Sequence, residues 1–143
     1  MTKVVTSGAH DDVLEFIRHN PRVVLATLRR DGSPQLSPVL ATVDAASRVV
    51  ISSRETAIKT ANLRRNPHAT LCCITERFFD EWHTVDGAVE IVSLPAAMDL
   101  LVDYYRRSVG EHPDWADYRA AMERDGRVLL RMTVERSGPT SMG

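Results

Sequence analysis

Hydroxyls and cations crowd one stretch of this 143-residue chain: Ser52-Ser53-Arg54-Glu55-Thr56-Ala57-Ile58-Lys59-Thr60-Ala61-Asn62-Leu63-Arg64-Arg65-Asn66-Pro67. The stretch follows an apolar run and leads into a helix-forming segment, so these side chains gather where a strand should end and a helix begin. The first N–H groups of a helix lack intrahelical acceptors and carry partial positive charge, and together they can hold a phosphate. Ser52, Ser53, Thr56 and Thr60 add donors, while Arg54 and Lys59 add charge. The chemistry predicted here is recognition of a phosphate-bearing ligand. A plainer reading makes Lys59 a solvated helix residue and has Arg64 and Arg65 complement a helix C-terminus.

Other chemistry has little footing. The chain shows no Ser/His/Asp order, no paired-carboxylate motif and no Walker-type glycine loop. Cys72 and Cys73 are neighbours, which a strand turns to opposite faces, so they are poorly placed to bridge one another. His10, His19, His68, His83 and His112 are scattered, and no metal site is expected. His83 could serve as a general acid, or it could be structural.

The elements that would position these groups follow from periodicity and turn residues. Asp11 to His19 reads as a short helix, capped by Asp11 or Asp12 and stopped at Asn20-Pro21. Val23–Leu28 is a strand, Asp31-Gly32 a hairpin turn, and Gln35–Val43 the return strand, where Pro38 implies a bulge or an unpaired ladder position. Arg48–Ser53 is a third strand, followed by a helix from about Thr56 to Arg65. His68–Thr75 and His83–Val92 are the fourth and fifth strands, with Gly87 marking a possible bulge. Two helices follow, one begun by Pro95 and one capped by Asp114, then a strand over Arg127–Glu135 and a small, polar tail from Arg136 expected to be mobile. Six strands joined by short turns predict a mainly β fold, an antiparallel barrel with flanking helices, in one domain spanning 1–143.

Composition narrows the partners. Hydrophobic residues make up 43% and charged residues 26%, as in an ordinary globular protein, and net charge is −1, which argues against a nucleic-acid binder. Charge is uneven, however. Residues 1–70 carry 10 Lys+Arg against 6 Asp+Glu, and residues 71–143 carry 8 against 13. The basic half holds the phosphate-site candidate and suits a small anionic molecule. No apolar run reaches a membrane span, and the N-terminus lacks a signal-peptide core, so no membrane partner and a cytoplasmic location are expected.

Three blocks of the chain carry a family resemblance. Val24 to Ser37, Lys59 to Pro67, and Gly110 to Met122 resemble, in order and spacing, blocks of the split β-barrel superfamily of pyridoxamine 5′-phosphate oxidase-like flavoproteins, and most of all its group that uses the deazaflavin coenzyme F420. The resemblance covers roughly residues 10–135. It implies a six-stranded split barrel that forms a homodimer with cofactor clefts at the interface. By that likeness the strand bearing Gln35, Ser37 and Val39 approaches the tricyclic ring, and Ser52, Ser53, Arg54, Lys59 and Thr60 lie at the phosphate. Trp82 lies near the strand lining the cleft, as a cofactor contact from either subunit or as a packing residue. The implied activity is F420-dependent hydride transfer to a small conjugated organic substrate. FMN in the same fold and a non-catalytic cofactor binder are the alternatives. The resemblance has one departure: family members often carry a basic residue where this chain has Ala57.

Overall fold

The computed structural model describes residues 10–138. Helix α1 (Asp11–His19) leads into strands β1 (Arg22–Leu28), β2 (Pro34–Val43) and β3 (Val49–Arg54). Helix α2 (Ile58–Arg65) follows, then β4 (His68–Ile74), β5 (Trp82–Val92), α3 (Met98–Ser108), α4 (Trp115–Asp125) and β6 (Arg127–Gly138). All pairings are antiparallel, and the strands close into a barrel in the order β1-β2-β3-β6-β5-β4.

Alternation decides which side chains fill the barrel. Val23, Leu25 and Thr27 of β1 point inward, as do Ala69, Leu71 and Cys73 of β4 and Val49, Ile51 and Ser53 of β3. Helix α1 adds Val13, Leu14, Phe16 and Ile17 to that core, and α2 adds Leu63. Burial pushes the Cys73 thiol up to about 12, as expected of an inert core cysteine. A second core lies outside the barrel, where α3 and α4 cover the outward-facing Val50 and Leu129 with Leu101, Val102, Tyr104, Tyr118 and Met122.

Several boundaries differ from the sequence expectations. Helix α1 is preceded by His10, with no side-chain cap, and Asp11 and Asp12 sit in its first turn, where negative charge suits the helix dipole. Helix α2 begins at Ile58 rather than Thr56, because residues 55–57 form a turn closed by Ala57 N–H on the Arg54 carbonyl. Part of the expected mobile tail is structured: Arg136, Ser137 and Gly138 pair with Asp86, Val85 and Thr84 of β5. Residues 139–143 of that tail lie outside the described residues. Other expectations hold. Asp114 caps α4 by accepting from Asp117 N–H at 3.1 Å, and the β5–β6 register shifts between Asp86 and Gly87.

Candidate functional site: a propped split with three unpaired cations

Strand β2 changes partners partway along. Residues Pro34 to Leu40 pair with β1, whereas pairing with β3 covers only Ala41 to Val43. Beyond Leu40 the two strands part, and one edge of β2 is left without a ladder. Since Arg29 N–H bonds Ser33 O across the hairpin, alternation turns the backbone groups of Leu36, Pro38 and Leu40 away from β1 and toward this split. Pro38 therefore sits where its missing N–H breaks no bond to β1, which accounts for a proline inside a continuous register.

A tyrosine holds the split at its apex. Continuing the register past Ala41↔Ile51 would pair Leu40 with Ser52. Instead, the Tyr104 hydroxyl from α3 donates to Leu40 O at 2.8 Å, close to the backbone of Ser52. One side-chain hydroxyl thus takes up the strand carbonyl that the ladder leaves free. Burial raises the pKa of Tyr104.

The predicted phosphate residues divide at this point. Ser53 and Thr60 face the core: their hydroxyls bond each other at 2.8 Å, and Thr60 donates to Arg54 O at 2.6 Å. They tie α2 to the end of β3 and offer nothing outward. Their assignment as ligand donors is corrected to a structural one. Ser52 and Arg54 alternate to the outer face, where Lys59 joins them, half-buried. Val39 packs against the barrel core, so only its backbone is available as a ring contact. Gln35 and Ser37 bond each other at 3.1 Å beside the split. Trp82 starts β5, opposite Ile74, and in one chain it stands at the far end of the barrel from Lys59. A single subunit does not bring it to the cation site.

The sequence reading missed Arg127. It opens β6 directly opposite Arg54 of β3. Like charges facing each other across a ladder are unfavourable. The nearest carboxylate in sequence, Glu55, is turned away: Arg64 grips it at 2.5 and 2.8 Å and holds its carboxyl below the usual range. Asp125 lies 3.8 Å from Arg124. Among the described residues, Arg54, Lys59 and Arg127 make no ion pair, and the buried Nε of Arg127 has no hydrogen-bond partner. Lys59 registers this arrangement. Burial first, then the charges of Arg127 and Arg54, push its pKa below the ordinary 10.5. The only signal in sequence was Gly126-Arg127 after a helix. Gly126 adopts the left-handed conformation that ends α4, and its carbonyl accepts Glu55 N–H, which sets Arg127 against the β3–α2 turn.

A broad groove of about 890 Å³ lies at the other end of the barrel, between the α1–β1 junction and the β4–β5 loop. Its cations are already matched, Arg22 with Glu76 at 3.3 Å and Arg77 with Asp80 at 4.0 Å. Unpaired positive charge therefore distinguishes the split and not the groove. Among the described residues no helix is long and apolar enough to cross a membrane.

A closed six-stranded antiparallel barrel with one split edge and flanking helices defines the class of fold. The chain belongs to the pyridoxamine 5′-phosphate oxidase family, whose model matches residues 9–140. The fold is similar to that of a conserved hypothetical protein from Mycobacterium tuberculosis (22% identity, TM-score 0.71, 93% of this chain and 91% of that one). It also resembles an F420 reductase (21%, 0.68, 87% and 94%) and a heme storage protein from Vibrio cholerae (15%, 0.65, 90% and 92%).

Proposed function

We propose that the protein is an oxidoreductase that binds coenzyme F420 in the split between β2 and β3. The observation that carries this reading is a trio of unpaired cations beside an open strand edge. Anionic and planar parts of one ligand would each find a complementary surface there. Ser52, Arg54 and Lys59 would hold the phosphate by charge-assisted hydrogen bonds, each worth about 1.5–3 kcal/mol. The Leu36 N–H and Pro38 C=O on the free edge of β2 would orient the ring, with Gln35 and Ser37 alongside. When bound, the deazaflavin supplies hydride chemistry at its C5 toward a small, electron-poor conjugated substrate. The protein's own part is binding, orientation and exclusion of water. The missing basic residue at Ala57 is offset in this reading by cations from β3 and β6.

The active unit in this reading is a homodimer. Outward-facing Leu36 of β2 is 61% exposed and Trp82 of β5 is 41% exposed, and between them lie the half-buried Val24 and Ala26 of β1 and Cys72 of β4. A second copy seated on this apolar sheet face would bury it. Trp82 would then serve the partner's site. FMN is the alternative cofactor, since the same cations would accept its phosphate, and the likeness to a heme storage protein favours a non-catalytic binder as the next reading.

Fluorescence titration with F420, run in parallel with FMN, tests the proposal. Saturable F420 binding at micromolar or tighter affinity with weak FMN binding is the expected result. Preference for FMN moves the chemistry to a flavin, and binding of neither removes the cofactor reading.

A further inference from the structure

We propose that Arg127 is a direct ligand of the bound anion, completing a three-cation clamp for a phosphoryl group with Arg54 and Lys59. This inference rests on the proposed function only for the cofactor's identity; the clamp stands on geometry. Three independent observations support it. Arg127 lies in register with Arg54, so two guanidinium groups leave neighbouring strand ends, and among the described residues neither makes an ion pair. The Nε of Arg127 is buried without a partner, and an orphaned charged donor in a folded protein is an unmet demand for an acceptor. Lys59, from a third element, sits close enough to feel the charge of both. The local carboxylate that could neutralise the set is held by Arg64 and within reach of Ser93 instead. An anionic phosphoryl group supplies what the cluster lacks: several acceptor oxygens and charge of the opposite sign.

The clamp predicts opposite effects of one substitution on stability and on binding. A guanidinium with a structural role would destabilise the fold when removed. A clamp residue facing like charge leaves the ligand-free protein as stable as before, or more so, when it is neutralised. Arg127→Met and Arg127→Lys test this, with stability read by urea denaturation and binding by calorimetry with inorganic phosphate, pyrophosphate, FMN and F420. The expected result for Arg127→Met is an unchanged or higher urea midpoint and at least tenfold weaker binding of every phosphorylated probe that the parent binds. Arg127→Lys restores part of that loss. A second readout is independent of ligand: Lys59 loses one of its two cationic neighbours in Arg127→Met, so its pKa climbs and its acylation rate at pH 8 falls. Unchanged phosphate-probe affinity in Arg127→Met overturns the clamp, as does an unfolded Arg127→Met protein together with undiminished binding by Arg127→Lys. The two proposals fail separately. If phosphate or pyrophosphate binds through Arg127 while F420 and FMN do not bind, the cofactor reading fails and the clamp holds. If F420 binds with no dependence on Arg127, the clamp fails and the cofactor reading holds.

Discussion

At the scale of single residues, the site is governed by a lysine whose surroundings disfavour its charge. Lys59 is pushed below 10.5 by burial and by Arg127 and Arg54, so the unfolded chain binds its proton more tightly than the folded one. Its contribution to stability accordingly rises with pH between the lowered folded value and 10.5. Buried Cys73 and Tyr118 act oppositely: raised to about 12, they lose stability as pH climbs through their unfolded values toward that point. The Lys59 part is therefore read as the difference between parent and Lys59→Gln urea midpoints from pH 7.5 to 10.5. That difference should move in favour of the parent as pH rises, while the parent's affinity for phosphate-bearing ligands declines over the same window. Parallel pH curves for the two proteins would contradict it. The sequence exposed Lys59 and Arg54 because they are local to one turn. It concealed Arg127, which comes from the acidic half of the chain and meets them only through the β3–β6 register. It also could not separate Ser52 from Ser53, since which of two adjacent serines faces the core depends on pleat direction.

At the scale of elements, turn chemistry and alternation made the strands legible in chain order; Asp86-Gly87 marked a true register shift, and Pro38 marked the edge of β2 that β3 leaves unpaired. What escaped was where a ladder stops. Nothing in the composition of β2 says that its pairing with β3 covers only Ala41–Val43, because that limit is set by a tyrosine on a helix more than sixty residues later. The bulge at Gly87 yields a sharper expectation. A Cβ there would meet the Thr133 carbonyl at 2.2 Å and Met132 Cγ at 2.7 Å, so the backbone of β6 must shift. Gly87→Ala should destabilise the fold by roughly 1–3 kcal/mol, the usual range for overpacking. A urea midpoint equal to the parent's would show that the bulge accommodates a side chain. Helix α2 holds its place through the Asn62 amide donating to buried Thr27 at 3.1 Å and Arg65 donating to Leu28 O at 2.7 Å, which explains why Arg65 is not free for a ligand.

At the scale of the whole molecule, the helices are distributed unequally around the barrel. Helices α3 and α4 cover Val50 and Leu129, tied down by Tyr118 donating to Leu101 O at 2.9 Å and by packed rings of Tyr105, His112 and Trp115. The face bearing Leu36 and Trp82 is the one proposed to bind a second copy. Leu36→Arg should shift sedimentation from dimer to monomer while changing the unfolding free energy by no more than about 0.5 kcal/mol at concentrations where the parent too is monomeric, as for a surface change. A parent protein that sediments as a monomer would remove the dimer. The prop at the split has a consequence for the timing of local opening. The Ser52 amide lies close to the Tyr104 hydroxyl of α3, so its exchange with solvent hydrogen should follow undocking of that helix, a smaller event than opening of the barrel. In Tyr104→Phe it should exchange far faster, while the core amides of β1 and β4 keep their protection. One backbone proton would thereby act as a clock for the undocking of α3.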